Sequence, residues 1–148
     1  MKIVDHFVKN SNNEGILFNC LQVLSSFSDV QINTIINPEL INKIIEIFRL
    51  GQFKLEASCI RVIGTFTCGN EKVVQILINN GVIGMLDEAI QHNKKLIRKE
   101  ACWAISNLLA GTSLEIEEIF KYNHGTIFKN LFQIISNDDY DVRFFFGF

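Results

Sequence analysis

An internal repeat limits the fold of this chain more than any other feature of its sequence. Three segments align without a gap, CLQVLSSF, CIRVIGTF and ACWAISNL, and they begin at residues 20, 59 and 101. In each copy the apolar residues recur with the spacing of a helix that buries one face. Helical copies spaced about 40 residues apart predict an all-α fold in which the copies stack side by side as a solenoid.

The intervals between the three segments each divide into two shorter helices. Residues 71–80 and 82–91 form one such pair with Gly81 between them, and Pro38 opens the second helix of the preceding pair. We therefore predict one domain over residues 1–148, a right-handed superhelical solenoid of the armadillo or HEAT class with about three repeats and partial repeats at both ends. The predicted units are a partial repeat at 1–27, repeats at 28–66 and 69–108, and a partial repeat at 111–148.

The composition is that of a globular chain without an obvious nucleic-acid or membrane partner. Hydrophobic residues make up 48% of the 148 residues, and the formal net charge is −2. The basic residues are dispersed apart from a short cluster within residues 94–99. No apolar run approaches the roughly 18 residues that a membrane span needs, and the start, MKIVDHFVKN, lacks the apolar core of a signal peptide. We expect a soluble intracellular protein.

The cysteines and histidines do not indicate a metal, a cofactor or an active site. The four cysteines lack CxxC pairing, and the three histidines are isolated in sequence. No nucleophile, base and orienting group converge at a useful spacing, and no glycine-rich phosphate loop follows a strand. We predict no enzyme activity and no cofactor.

The third copy carries the strongest candidate for a binding site. On a helical wheel Ala101 and Ile105 lie on the apolar arc, whereas Glu100, Trp103 and Asn107 form a second stripe roughly 110° away. An indole face, an amide and a carboxylate in one line suit a long cationic side chain on an extended peptide. A second interpretation remains open, in which Trp103 is a packing residue of the core.

Residues 61–83 and 96–111 resemble the C-terminal half of the armadillo array of the importin alpha family, the adaptors for nuclear localisation signals. The wording KEACW, ISN and AG between residues 99 and 111 carries the resemblance, which covers roughly residues 16–143. It implies an armadillo fold whose third helices line a concave groove. It also implies basic, Lys- and Arg-rich signal peptides of cargo proteins as partners, and a protein of the cytoplasm and the nucleus.

The resemblance assigns roles to individual residues. Trp103 stacks on a basic stem and Asn107 clamps the peptide backbone in this interpretation, while Glu100 and Glu71 match acidic positions that meet the charge. In the family, pairs of tryptophan and asparagine at positions i and i+4 of successive third helices form a ladder along the groove. Arg61 matches the arginine that interrupts this ladder. The remaining candidates lie on the same helices or at their ends and are Ser106, Gly69 and Thr65. Because only one tryptophan–asparagine pair, Trp103 with Asn107, is complete, peptide binding is expected to be weak and sensitive to salt.

The neighbouring repeats depart from the family pattern. Thr65 stands where the family has asparagine, and the first copy has Gln22 and Ser26 in place of a tryptophan and an asparagine. In the last copy Phe145 and Phe148 replace an acid and a tryptophan. No arginine-rich segment precedes the array, so importin beta is not an expected partner of this chain alone. The alternative function is a structural scaffold, or a truncated paralogue, that keeps the solenoid without binding cargo.

The last five residues, FFFGF, are the opposite of a polar cap. Solenoid ends normally carry polar capping faces, because an uncovered end exposes apolar surface. We expect this chain to self-associate through that end, or to need a partner that covers it.

Overall fold

The computed structural model describes residues 2–146, and over this range the chain forms α-helices and two short 3-10 helices, without strands. The all-α prediction is therefore confirmed. The 3-10 helices span Tyr122–Gly125 and Phe144–Phe146. The α-helices are α1 (Lys2–Asn10), α2 (Glu14–Leu24), α3 (Asp29–Ile35), α4 (Pro38–Phe48), α5 (Phe53–Phe66), α6 (Glu71–Asn79), α7 (Val82–Ile90), α8 (Lys95–Leu109), α9 (Ser113–Lys121), α10 (Thr126–Asn137) and α11 (Tyr140–Arg143).

The three aligned segments lie in the helices α2, α5 and α8, and these helices stack in sequence order. α2 packs on α5, α5 packs on α8, and α11 continues the row on α8. A second row consists of α1, α4, α7 and α10, and α6 packs on α9 beside it. The segment DHFV near the start of the chain lies in α1 and therefore in that second row. The helical copies stack as a solenoid, as the repeat predicts.

The core is continuous between the copies because equivalent positions of the stacked helices are all buried. Leu24, Ile63 and Ile105 share one aligned position, and each is fully buried. Burying an aliphatic side chain of this size contributes about 1.5–3 kcal/mol. Three cysteines are buried packing residues of the same helices: Cys20, Cys59 and Cys102.

Local residues fix the helix ends at the positions that the sequence indicates. The side chain of Asn37 accepts a hydrogen bond from the Leu40 N–H at 2.9 Å, and Pro38 occupies the first turn of α4. The turn between α9 and α10 is formed by three consecutive residues with positive φ: Asn123, His124 and Gly125. A left-handed stretch of this kind ends one helix and redirects the chain into the next.

The last described helices expose large apolar side chains. Phe132 of α10 is 73% exposed and Leu114 of α9 is 69% exposed. Phe144 is also exposed, whereas Phe145 packs against the core. Phe148, which the sequence places at a tryptophan position, lies outside the described residues. Within residues 2–146 this end therefore presents apolar side chains where a capped solenoid presents polar ones.

Among residues 2–146 no single helix is both long and apolar enough to cross a membrane. α6 and α7 reach that length and apolarity only when they are taken together, and they are bent by 75° at the break between them. Both helices contribute fully buried residues to the core, Leu77 and Leu86 among them.

Candidate peptide-binding groove

The Trp103 ring packs directly over Gly64 of the neighbouring helix. A Cβ atom added at Gly64 would lie 2.4 Å from Cζ3 and 2.6 Å from Cε3 of the indole. Glycine in mid-helix costs roughly 0.5–1 kcal/mol relative to alanine, but here it admits the aromatic ring. The ring joins α5 to α8 and remains only half-buried. Trp103 is thus both a packing residue and a partly exposed aromatic wall.

Asn107, one turn after Trp103, forms hydrogen bonds with residues at the C-terminal end of α5. Its Nδ2 donates to the Gly64 carbonyl at 3.3 Å and to Cys68 Sγ at 3.2 Å. Its Oδ1 accepts no hydrogen bond from residues 2–146, so this oxygen is available to an N–H group of a bound peptide. Thr65 holds the equivalent position one copy earlier, and its hydroxyl donates to the backbone carbonyl of Ser25 at 3.1 Å.

The Glu100 carboxylate is paired with Arg61 of the preceding copy. Arg61 donates from Nη2 to Oε1 of Glu100 and from Nε to Oε2, the latter at 3.4 Å. The Glu100 side chain is only 12% exposed, whereas that of Arg61 is 49% exposed. The hydrogen bonds to Glu100 raise the pKa of Arg61 above its usual range. The charge of Glu100 is therefore balanced within the fold by Arg61.

The same kind of contact recurs from copy to copy. Gln22, which aligns with Arg61 and Trp103, donates its amide to Ser58 Oγ at 3.1 Å. In both cases the residue at the tryptophan-equivalent position contacts the next stacked helix. At the next step of the stack, Trp103 and Phe145 line one cleft together. An amide–hydroxyl pair, an ion pair and two aromatic side chains thus follow one another along the stack.

Two clefts flank Trp103 and Asn107 on the exposed side of α5 and α8. The first, here called the Trp103 slot, has a volume of about 300 Å³. Its charged lining residues are Arg61, Lys99 and Glu100, and Trp103 and Phe145 form its aromatic walls. Thr65 and Ser25 complete the lining.

The second cleft, here called the acidic cavity, has a volume of about 580 Å³ and lies at the C-terminal ends of α5 and α8. Its lining includes Asn107, Gly69 and the exposed Cys68. Among the described residues, Glu71 and Glu115 are its only acidic lining residues, and no described lysine or arginine lines it. The cavity therefore carries negative charge beside the Asn107 amide.

Glu115 combines a structural and an electrostatic role. Its Oε2 accepts from the Thr112 N–H at 2.7 Å, and together the two residues form a capping box at the start of α9. The residue is 3% exposed, and its Oε1 is buried without a hydrogen-bond partner among residues 2–146. A buried polar atom without a partner costs about 1–3 kcal/mol, and the charge of this carboxylate adds to the negative potential of the cavity.

The structure divides the predicted site residues between the two clefts. Four lie in the Trp103 slot: Trp103, Thr65, Arg61 and Glu100. Three line the acidic cavity: Asn107, Gly69 and Glu71. Ser106 lines neither cleft, and its hydroxyl donates to the Trp103 carbonyl at 2.8 Å. Within residues 2–146 no group of three or more His, Cys, Asp or Glu side chains comes together that could hold a metal ion.

Sequence reasoning missed two lining residues, Lys99 of the Trp103 slot and Glu115 of the acidic cavity, and it missed Gly64, which lies against the Trp103 ring. A glycine in the middle of an apolar helical segment indicates close approach of another group, which is a usable signal for Gly64. The spacing of Thr112 and Glu115 is that of a capping box, and this signal places the carboxylate at the start of α9. Lys99 belongs to a cluster that looked like a solvated helix start, so no local signal distinguishes it.

The stacked helices form an armadillo-repeat solenoid. The armadillo/beta-catenin-like repeat family model matches residues 70–110. A designed armadillo repeat protein in complex with the peptide (KR)4 superposes with a TM-score of 0.84 at 17% identity, over 94% of this chain and 58% of that chain. A second designed armadillo repeat protein gives a TM-score of 0.84 at 20% identity, over 95% of this chain and 60% of that one. The armadillo solenoid prediction is confirmed.

In sequence, this chain is similar to curated importin alpha subunits. Importin subunit alpha-1a of Oryza sativa subsp. japonica is 33% identical over 114 residues, which cover 74% of this chain and 22% of the relative. Importin subunit alpha-8 of Arabidopsis thaliana is 31% identical over 102 residues, which cover 66% of this chain and 23% of the relative. The chain thus spans less than a quarter of the length of these two proteins. Its resemblance to importin alpha is confirmed over most of its own length.

Proposed function

We propose that this chain is an importin-alpha-like binding module that recognises basic nuclear localisation signal peptides and serves as an adaptor in nuclear import. The acidic cavity is the observation that carries the proposal. A lysine or arginine side chain that enters it meets Glu71 and lies close to the buried Glu115 carboxylate, and no lysine or arginine among the described lining residues opposes it. Such an adaptor works in the cytoplasm and the nucleus, where we place this chain.

The peptide lies in extended form across α5 and α8 in this proposal. Asn107 Oδ1 accepts from a peptide N–H, because this oxygen has no partner within residues 2–146. Trp103 supplies an apolar wall one turn away. Successive side chains of an extended peptide point to opposite sides, so one enters the acidic cavity and the next faces the Trp103 slot. The similarity to importin alpha subunits and to a designed armadillo protein bound to (KR)4 supports a basic peptide as the partner.

Two signals test the binding of a Lys-Lys-Lys-Arg-Lys peptide. Trp103 is the only tryptophan of the chain, so its emission is expected to shift on titration and to return when salt is added. Cys68 is the one exposed cysteine of the four and lines the acidic cavity, so bound peptide is expected to slow its alkylation. The second signal does not depend on the tryptophan and can be followed in a Trp103→Ala variant.

Matched carboxylate variants locate the binding. Glu71→Gln removes one charge from the acidic cavity and is expected to weaken the basic peptide about two- to fivefold at low salt. Glu117→Gln is the control, because Glu117 is an exposed carboxylate on α9 that pairs with Lys121 and does not line the cavity. Equal effects of both variants would indicate a general charge effect and would contradict the acidic cavity as the site.

The pairing of Arg61 with Glu100 supports a second candidate, a scaffold that has lost cargo binding. This ion pair withdraws one of the acidic groups that the resemblance assigns to the peptide. Unchanged Trp103 emission together with unchanged Cys68 alkylation at millimolar peptide would favour the scaffold. A salt-reversible response in both signals would exclude it.

A further inference from the structure

We infer that the Trp103 slot takes an acidic side chain, so that the groove prefers a basic signal peptide in which a glutamate stands next to the lysine that enters the acidic cavity. The inference rests on the proposed function for the presence of a peptide and adds the sequence class of that peptide. It differs from the expectation that Trp103 stacks on a basic stem, and the reason lies in the charges that the fold places around the indole.

The accessible charge of the Trp103 slot is positive. Arg61 and Lys99 line it with Glu100, but Glu100 is bound by Arg61 and largely buried. Lys99 forms no ion pair with a residue of the described range. A lysine side chain that entered the slot would meet two cations and no free carboxylate.

The nearest other carboxylates do not change this balance. Asp139 and Asp141 each lie 3.1 Å from the ammonium group of Lys95, and neither lines the slot. The hydrogen bond from Lys95 is the main cause of the lowered pKa of Asp141, and Lys99 makes a smaller contribution. Both aspartates are therefore already engaged by a lysine outside the slot.

The shape of the slot also fits a glutamate. The aromatic walls of Trp103 and Phe145 suit the methylene groups of such a side chain. The Arg61 guanidinium uses Nε and Nη2 for Glu100, and its Nη1 donates to no residue of the described range. Because an arginine carries five N–H donors in a planar fork, Arg61 keeps donors for a second carboxylate.

The two clefts have opposite charge and lie on the two sides of the pair formed by Trp103 and Asn107. The slot is lined by Trp103, whereas the acidic cavity is lined by Asn107. Neighbouring side chains of an extended peptide point to opposite sides. A peptide in which lysine and glutamate alternate therefore places lysine in the acidic cavity and glutamate in the slot.

Two peptides of equal length test this inference, (Lys-Glu)3 and (Lys-Gln)3. We expect (Lys-Glu)3 to bind about threefold tighter at low salt, by Trp103 emission and by protection of Cys68 from alkylation. The net charge of the chain is −2, so general electrostatics would favour (Lys-Gln)3, and the expected order cannot come from overall charge.

Three variants assign the effect to the slot. Arg61→Ala removes a cation and frees Glu100, so it is expected to reverse the order of the two peptides. Lys99→Gln leaves the Arg61–Glu100 pair intact and is expected to reduce the preference for (Lys-Glu)3. Arg49→Ala is the control, because Arg49 forms a similar two-point pair with Glu88 and lines neither cleft. Its peptide order is expected to match the wild type.

The outcomes separate this inference from the proposed function. If both peptides bind and (Lys-Gln)3 binds as tightly as (Lys-Glu)3 or tighter, the acidic preference is wrong and the peptide-binding proposal stands. If the preference survives in both Arg61→Ala and Lys99→Gln, the slot is not its source and the inference is overturned. If neither these peptides nor Lys-Lys-Lys-Arg-Lys changes either signal, both proposals fall.

Discussion

At the scale of single residues, the position of the Trp103 ring depends on the absence of a side chain at Gly64. The Trp103 ring occupies the space where a Cβ atom of residue 64 would stand. The position of the ring then sets both its partly exposed surface and its place in the slot beside Arg61. The other two copies have serine at the aligned position, Ser25 after α2 and Ser106 in α8. The glycine therefore occurs only in the copy that receives the indole.

Gly64→Ala is expected to displace the indole and to lower the free energy of unfolding by about 1–3 kcal/mol, the usual cost of overpacking. Chemical denaturation followed by circular dichroism measures the loss, and the Trp103 emission is expected to move as the ring shifts. In a Trp103→Ala background the same substitution has nothing to collide with. Its cost there is expected to vanish, since alanine favours a helix more than glycine does. A cost that persists in that background would contradict the contact.

At the scale of helices, the start of α9 connects stability to charge. Glu115 caps the helix with one carboxylate oxygen and leaves the other buried in the acidic cavity. The capping box needs an acceptor at this position but not a charge, because glutamine also forms it. The two roles of Glu115 can therefore be separated by one substitution.

Glu115→Gln is expected to leave the free energy of unfolding within about 0.5 kcal/mol of the wild type, because the cap is kept and a buried charge is removed. The same variant is expected to weaken a basic peptide about two- to fivefold, as measured by protection of Cys68. Thr112→Ala is the counterpart, since it removes the capping side chain at a cost of about 1 kcal/mol and leaves the cavity charge in place. Loss of stability in Glu115→Gln equal to that in Thr112→Ala would show that only the cap matters.

A second connection between helices is the ion pair of Arg98 in α8 with Asp138 at the end of α10. Arg98 Nη2 lies 2.8 Å from Asp138 Oδ1, and the aspartate side chain is only 9% exposed. The hydrogen bond from Arg98 is the main cause of the lowered pKa of Asp138. A carboxylate whose pKa is lowered by folding stabilises the fold above its unfolded pKa, and this contribution is lost as the pH falls through the folded value.

Asp138→Asn is therefore expected to lower the free energy of unfolding by about 1–3 kcal/mol at neutral pH, with a smaller difference from the wild type below about pH 4. Denaturant titrations at several pH values measure this convergence. Asp139→Asn is the control, because Asp139 is an exposed partner of Lys95 and its loss is expected to cost under about 1 kcal/mol. A constant difference down to pH 2 would show that the ion pair does not stabilise the fold.

The sequence predicted the helices well because their signals are local. Apolar spacing identifies α5 and α8, and Asn37 with Pro38 marks the start of α4. The pairing of Arg61 with Glu100 was not predicted, because it joins two copies and depends on how closely the helices stack. A charged residue on a helical wheel does not indicate whether its charge is free or already balanced across the stack.

At the scale of the whole molecule, the described C-terminal end presents an apolar face on α9 and α10. Phe120 and Phe128 stack with ring centroids 3.8 Å apart, and Phe132 and Leu114 are largely exposed on the same two helices. Armadillo copies bury such faces against the next copy. The stacking that gives the solenoid its core therefore also produces a surface that favours association.

We propose that the isolated chain self-associates through this face. Sedimentation velocity is expected to show a mass that rises with concentration in the micromolar range, because burial of apolar surface contributes roughly 25 cal/mol per Å². Phe132→Ser, which removes a 73% exposed ring from α10, is expected to shift the distribution toward monomer. Leu50→Ser is the control, because Leu50 is 59% exposed after α4 and lies outside α9 and α10. A wild-type chain that stays monomeric at these concentrations, or equal effects of the two variants, would contradict association through the α9–α10 face.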